Sequence, residues 1–220
     1  MGFQPSDLAK LILVIYVARM LVHKKEVIKD FKLGIVPILW PIVIICGLIL
    51  PADFSTAAML FIVCFIMLFV GGAKLKHLSA MIGVSIAGFA ILILLNLAFP
   101  GLLPRVDTWQ KRITSFESGS QKENYQAEMA KRAVANGFLF GKGPGKGHVK
   151  NDLYSAQSDF IYASSIEEFG SIFGGLGLVI MYTILFFRSI RIMNKTESLF
   201  GAYVVFGLSF LLVFQSLINM

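Results

Sequence analysis

The stretch "SIFGGLGLVIMYTILFF", residues 171–187, decides the fold class of this chain. It contains no charged side chain and approaches the length of about 20 apolar residues that cross the hydrocarbon core of a bilayer. The preceding stretch, "YSAQSDFIYASSIEEFG" at residues 154–170, carries the acids Asp159, Glu167 and Glu168. Because carboxylates beside a bilayer are costly, the two stretches together predict a membrane helix with a polar site at its entrance.

The composition of the whole chain is that of a polytopic membrane protein. Its 220 residues are 56% hydrophobic, with a mean hydropathy of +0.76, whereas soluble domains are about 45–50% apolar with glycine included. The net charge of +7 is accounted for by basic loops and does not indicate a nucleic-acid partner. No metal ligands are predicted, because ligand spacing is absent from Cys46, Cys64, His23, His77 and His148.

Six runs are long and apolar enough to predict transmembrane helices. They cover about residues 6–22, 33–50, 55–73, 78–99, 166–187 and 199–218. Pro37 and Pro41 should kink the second run or mark its start, because proline cannot donate a helical hydrogen bond. The predicted fold is an all-α polytopic membrane protein with about six transmembrane helices. It forms a single membrane domain over 1–220, with one long extracytoplasmic loop at 100–165.

Basic residues in the short loops predict the orientation. Lysine and arginine cluster in the connections 19–32, 74–77 and 188–197, whereas the 51–54 connection has none. Short basic loops face the cytoplasm. The 51–54 connection and the long 100–165 loop are therefore predicted to lie outside.

The long loop contains three recognisable parts. "SQKENYQAEMAKRAVANG", residues 120–137, predicts a short helix with Gly137 as its C-terminal cap. "FGKGPGKGHVKND", residues 140–152, is glycine-rich and basic, and "LYSAQSDFIYASS", residues 153–165, predicts a re-entrant or interfacial segment. Nine basic against six acidic residues give 100–165 a balance of +3, which suits an anionic ligand.

The "GKGPGKG" stretch, residues 141–147, lacks the spacing of a nucleotide-binding P-loop. Two readings remain open. It is a flexible turn, or it is a loop in which Lys142, Lys146 and free backbone amides meet a lipid-linked phosphate.

Charged residues collect near the predicted outer ends of the spans. They are Asp7, Lys10, Asp53, Asp159, Glu167 and Glu168. An acid at a helix N-terminus can simply complement the helix dipole, and this reading fits Glu167 and Glu168 well. It fits Asp159 less well, because aromatic and apolar residues follow it directly. Together these groups predict one outward-facing polar site.

At these residues the chain resembles the SEDS family of bacterial cell-wall synthesis, which comprises FtsW, RodA and SpoVE. "FQPSDLAKL" resembles the family's Gln-Pro-Ser-Glu-x-x-Lys motif, with Asp7 in place of the glutamate, and "LPADFSTA" resembles Gln-Pro-Asp-Leu-Gly-Thr-Ala. "RITSF", "YQAEMA" and "GKGPGK" follow in family order, and "GKGPGK" with "RITSF" favours FtsW over RodA. "SDFIYASSIEEFG" is similar to the family's most specific motif, Asp-Phe-Ile-Phe-Ala…Glu-Glu-x-Gly.

The resemblance implies a peptidoglycan glycosyltransferase of the bacterial cytoplasmic membrane that acts during cell division. Its substrate would be lipid II, an undecaprenyl-pyrophosphate-linked disaccharide peptide. Its partners would be a class B penicillin-binding protein and other division or elongation proteins. Family members have about ten spans, and this chain aligns with the fourth to the ninth, so we expect a fragment or a truncated product.

The resemblance also implies residue roles. Asp159 would be the catalytic base that accepts the proton of the acceptor hydroxyl. The expected substrate-binding residues are Lys10, Asp7, Asp53, Arg112, Gln126, Lys142 and Lys146. Among them Lys10 and Arg112 are the natural cations for the departing pyrophosphate. No cofactor is predicted, although a divalent cation near the acids stays open.

Two other functions compete with this one. A lipid II flippase should carry ionisable residues near the bilayer midplane, and the runs 33–50, 55–73 and 78–99 have none. A non-catalytic scaffold that recruits division proteins is the other alternative, and truncation would favour it.

Overall fold

The computed structural model describes residues 4–98, 121–147 and 160–220, and every regular element in these ranges is helical. The helices are α1 (Pro5–His23), α2 (Val36–Ile49), α3 (Phe54–Val70), α4 (Leu75–Ala98), α5 (Gln121–Gly137), α6 (Ile161–Gly170), α7 (Gly177–Lys195) and α8 (Leu199–Ile218). π-Helical turns at Phe31–Ile35 and Ser171–Leu176 lead directly into α2 and α7.

Helix is present at each of the predicted spans. Three stretches in the described residues are long and apolar enough to cross a membrane: Phe31–Ile49, Ile161–Lys195 and Leu199–Ile218. Phe54–Val70 and Leu75–Gly88 are shorter apolar helical stretches. The all-α polytopic membrane fold is therefore confirmed. Which loops face the cytoplasm stays a prediction.

The prolines of the second span explain its unusual start. The chain enters it through the π-helical turn, in which the Val36 amide donates to the Phe31 carbonyl. Pro37 then lies in the first turn of α2, where a missing amide costs little. Pro41 lies inside the helix, where it cannot donate to the carbonyl four residues earlier.

One compact unit, Met1–Gln110 with Ser189–Leu211, contains α1 to α4 and most of α8. Its fully buried side chains come mainly from α1, α2 and α3: Leu13, Val14, Val17, Ile38, Ile42, Leu60, Val63 and Met67. Gly71, just after α3, lies against the side chain of Leu21 near the end of α1. Helices α1 and α3 therefore run parallel, and their N-termini lie at the same end.

The second unit, Lys111–Arg188 with Leu212–Met220, is built on the packing of α5 against α6. Buried Ala133 and Ala163 meet at this contact. Gly137 allows the close approach, because a Cβ there would collide with the carbonyl of Ile166. The helix ends at Gly137, as the sequence predicts, but Gly137 is its last helical residue and the following Phe138 takes the positive φ of 44°.

The predicted fifth span, 166–187, does not hold as one helix. Gly170 has φ +81°, and a Cβ on Gly174 would collide with the carbonyl of Ser165. Nine residues of straight helix would separate those positions by about 13 Å, so the chain folds back at Gly170. The spanning helix thus begins after this glycine, and α6 is a separate segment before it.

This reversal also overturns the reading of Glu167 and Glu168 as acids at a helix start. Both lie in the last turn of α6, at the carbonyl end, where the helix dipole disfavours negative charge. Their carboxylates therefore need other partners than the helix terminus.

The segment that follows α5 satisfies the backbone groups freed at the reversal. The amides of Lys142 and Gly143 donate to the carbonyls of Glu167 and Glu168, each at 3.0 Å. On the other side of the break, the Ser171 amide donates to the Phe138 carbonyl at 2.8 Å. Buried backbone groups left without partners would be costly beside a bilayer, so these bonds stabilise the fold-back.

The close approach of α5 to α6 yields a stability prediction. Gly137→Ala should lower the free energy of unfolding by about 1–3 kcal/mol, because the added methyl group meets backbone that cannot rotate away. Gly83→Ala is the matched control, since a Cβ at this helical position meets nothing within 4 Å. It should be neutral or stabilising by up to about 1 kcal/mol. Thermal unfolding in detergent measures both, and equal effects would contradict the tight contact.

Candidate functional site

Lys10 is the buried cation of the first unit. The residue is 5% exposed, and its Nζ lies 2.8 Å from Oδ1 of Asp7, one turn earlier in α1. A buried ammonium is costly without a charged partner, so Asp7 makes the position tenable. The Asp7 side chain is 59% exposed, and the ion pair therefore opens to the surface on its carboxylate side.

Asp53 lies at the same end of this unit. It is the N-cap of α3 and accepts hydrogen bonds from the Thr56 amide at 3.2 Å and the Thr56 hydroxyl at 2.5 Å. Burial raises the pKa of the Asp53 carboxyl, but the bonds from Thr56 and Ser55 and the charge of Lys10 outweigh it. The pKa is held below its ordinary value of 3.8.

The structure thus brings together three of the residues singled out in the sequence. Asp7 and Lys10 come from the "FQPSDLAKL" stretch and Asp53 from "LPADFSTA". They meet because α1 and α3 run parallel. The result is a buried Lys10–Asp7 ion pair whose charge is also felt at Asp53, near the N-terminal ends of two helices whose positive dipole ends favour anions.

The glycine-rich loop, residues 141–147, is an ordered turn. Pro144 and Gly145, with φ +76° at the glycine, occupy the central positions of a β-turn closed by the Lys146 amide on the Gly143 carbonyl at 3.1 Å. Proline followed by a positive-φ glycine is typical of a type II turn. The predicted turn is therefore present, and its flexibility stays a prediction.

Four backbone amides of this loop are already bonded within the protein and cannot cradle a phosphate. The amides of Gly141, Lys142, Gly143 and Lys146 all donate to protein carbonyls. An amide cradle needs N–H groups directed at the ligand. Any anion here would have to be met mainly by side chains.

Glu167 was interpreted from the sequence as an acid at a helix start, yet it is fully buried at 0% exposure. Lys142 Nζ lies 3.5 Å from its Oε1. A Cβ on Gly147 would lie 2.9 Å from its Oε2. Both ends of the glycine-rich loop therefore contact one carboxylate. The sequence placed this acid in the "SDFIYASSIEEFG" stretch, but did not indicate its burial or its contact with the loop.

The remaining predicted residues are dispersed or undescribed. Gln126 is partly exposed on α5, and Lys146 is exposed in the loop. Asp159 and Arg112 lie outside the described residues. Within the part of the chain that the structure describes, no three histidine, cysteine or acidic side chains form a metal-like group.

The depressed pKa of Asp53 predicts a pH effect on stability. An acid whose pKa falls on folding stabilises the protein when ionised, so this contribution is present above about pH 4 and is lost as the pH falls below 3.8. Asp53→Asn keeps the cap but removes the charge, and should cost about 0.3–1 kcal/mol at pH 7.

The measurement is the difference in apparent Tm between wild type and Asp53→Asn at pH 7 and pH 3. The difference should shrink at pH 3. Thr56→Val removes the hydroxyl that donates to Asp53. Its Tm difference from wild type should also shrink at pH 3, but by less. A difference that is constant or grows on acidification would contradict the assignment.

The chain matches the model of the FtsW, RodA and SpoVE cell cycle protein family over residues 1–220. It is 32% identical over 224 residues to "Stage V sporulation protein E" of Bacillus subtilis (strain 168), covering 99% of this chain and 58% of the relative. It is 31% identical over 227 residues to "Probable peptidoglycan glycosyltransferase FtsW" of Aliivibrio salmonicida, covering 99% of this chain and 54% of the relative.

A second protein named "Probable peptidoglycan glycosyltransferase FtsW", from Geobacter sp. (strain M18), is 31% identical over 224 residues and is covered to 58% of its length. The chain therefore spans between 54% and 58% of the length of these relatives. Because the family model matches from the first to the last residue, the chain belongs to the FtsW, RodA and SpoVE family of cell cycle proteins.

Proposed function

We propose that this chain is a peptidoglycan glycosyltransferase that polymerises lipid II on the outer face of the bacterial cytoplasmic membrane during cell division. The observation that carries the proposal is the buried Lys10, paired with Asp7 and close enough to Asp53 to lower that residue's pKa, near the N-terminal ends of α1 and α3. A buried cation at a helix start is poorly explained by packing alone. It suits a ligand that brings several negative charges, such as a pyrophosphate.

The reaction requires three things of the protein. A base accepts the proton of the acceptor sugar hydroxyl as its oxygen bonds to the anomeric carbon of the donor. The bond from that carbon to the polyprenyl pyrophosphate breaks, and the pyrophosphate leaves with the electron pair. Cations must therefore stabilise the charge that develops on the leaving group.

The chain has residues of each type. We assign the base to Asp159, which directly precedes the apolar "FIYA" stretch. Partial shielding from water by such residues would raise its proton affinity. We assign leaving-group stabilisation to Lys10 and Arg112. Asp7 and Asp53 hold Lys10, while Gln126 contributes a hydrogen-bonding group to the substrate.

The position of Asp159 fits a lipid substrate. Lipid II keeps its polyprenyl tail in the bilayer and its sugars just outside, so a base for its hydroxyl must stand at the interface. Asp159 immediately precedes α6 and the fold-back that leads into a membrane-spanning helix. A class B penicillin-binding protein is the partner we propose, because the product strand must next be cross-linked.

Asp159→Asn should abolish glycan synthesis while the protein still folds. Asparagine keeps the shape of the side chain but cannot accept a proton at neutral pH. The assay is polymerisation of labelled lipid II by the chain reconstituted in liposomes with its class B partner. Polymerisation by the variant at near wild-type rate would move the base to Asp53 or Asp7. Lipid II movement across the bilayer without glycan formation by wild type would favour a flippase.

Lys10→Gln should lower the glycan synthesis rate per folded molecule by about 100-fold or more, the range expected for loss of one preorganised charge at a transition state. If the Lys10–Asp7 pair only steadies α1, the same change would lower stability but spare turnover. Lys25→Gln, at an exposed position beyond the other end of α1, is the matched control and should leave turnover unchanged. Normal turnover in folded Lys10→Gln would contradict the role.

A further inference from the structure

The burial of Glu167 raises a question that the glycosyltransferase reaction does not answer. This carboxylate is fully buried in the last turn of α6, where the helix dipole disfavours an anion. A buried charge requires a partner of opposite sign close by. The structure provides Lys142, whose Nζ lies 3.5 Å from the Glu167 Oε1 and whose side chain is 35% exposed.

The backbone repeats this connection. The Lys142 amide donates to the Glu167 carbonyl, and the next amide, of Gly143, donates to the Glu168 carbonyl. At the other end of the loop, Gly147 is buried against the second carboxylate oxygen of Glu167. A larger residue there would displace the carboxylate from its present position. The loop 141–147 is therefore bonded to Glu167 at its start and packed against the same carboxylate at its end.

The turn between these contacts carries the second lysine. Gly143 and Lys146 close the β-turn around Pro144 and Gly145, at 3.1 Å. Both lysines are exposed, but the Lys142 Nζ lies 3.5 Å from the Glu167 carboxylate. The turn and the amide bonds of Lys142 and Gly143 to α6 hold the backbone around Lys146 in place, so little conformational entropy is lost when the loop meets a ligand.

We propose that the two lysines of this loop have different roles, and that Glu167 is the positioning residue. Lys142 balances the buried carboxylate and fixes the loop, and Lys146 contacts the anionic ligand. The ligand class is a pyrophosphate ester, which rests on the proposed function. From sequence alone, both lysines were predicted to bind the substrate. The structure distinguishes them, because Lys142 is paired with the buried Glu167.

The test measures binding of undecaprenyl pyrophosphate to the full chain in nanodiscs, with undecaprenol as the uncharged control lipid. Lys146→Gln should weaken binding of the pyrophosphate lipid by about 10-fold, as expected for one charge-assisted hydrogen bond. Lys131→Gln, the same charge change at an exposed position on α5, is the matched control and should change the Kd by less than about 2-fold.

A double-mutant cycle tests the positioning role. Lys142→Gln leaves the acid buried without this cation, and should lower both the apparent Tm and the affinity. Lys142→Gln combined with Glu167→Gln removes both charges and should restore affinity to within about 3-fold of wild type, with most of the Tm. If Lys142 contacted the ligand itself, the double variant would regain Tm without regaining affinity.

Three outcomes overturn the proposal. They are a double variant that binds as weakly as Lys146→Gln, a Lys146→Gln variant that binds like wild type, and a wild-type chain that does not distinguish undecaprenyl pyrophosphate from undecaprenol. These outcomes are separate from failure of the proposed function. A chain that shows the expected division between the lysines but makes no glycan from lipid II retains this site and loses only the polymerase activity.

Discussion

A charge or an unpaired backbone group beside a bilayer must find its partner within the protein, and the rest of this structure follows from that constraint. Lys10 is buried only because Asp7 lies 2.8 Å away. The chain can reverse at Gly170 only because the segment after α5 supplies donors and acceptors on both sides of the break. The positions of the polar residues at the helix ends are thus set by the need for partners inside the protein. Any chemistry that these residues perform uses those positions.

The two charge pairs differ in how they are held. In the first unit, Lys10 and Asp7 come from one turn of one helix, and Asp53 joins them because two helices run parallel. In the second unit, Glu167 and Lys142 come from positions far apart in the chain. Such a pair must be held by tertiary structure, and here two anchored loop ends hold it. That explains why the loop needs glycine at positions where a side chain would collide.

Hydropathy was sufficient to predict the membrane class and the helical positions, because about 20 apolar residues have few alternatives. The motif residues Asp7, Lys10 and Asp53 could be predicted to lie near helix ends for the same reason. The reversal at Gly170 could not be predicted. The hydropathy of an apolar, glycine-rich stretch is the same whether the helix continues through it or the chain turns back. The backbone bonding of the 141–147 loop was missed because it depends on carbonyls of α6, a segment distant in sequence.

We propose that the charges around Lys10 bind a lipid-linked pyrophosphate. Photo-crosslinking with a lipid II analogue, whose reactive group lies next to the pyrophosphate, tests it most directly. The account predicts adducts on the peptides that carry Asp7, Lys10 and Asp53, and their loss when unlabelled undecaprenyl pyrophosphate competes. Adducts confined to the lipid-exposed residues of α2 and α4, or unchanged by the competitor, would contradict it.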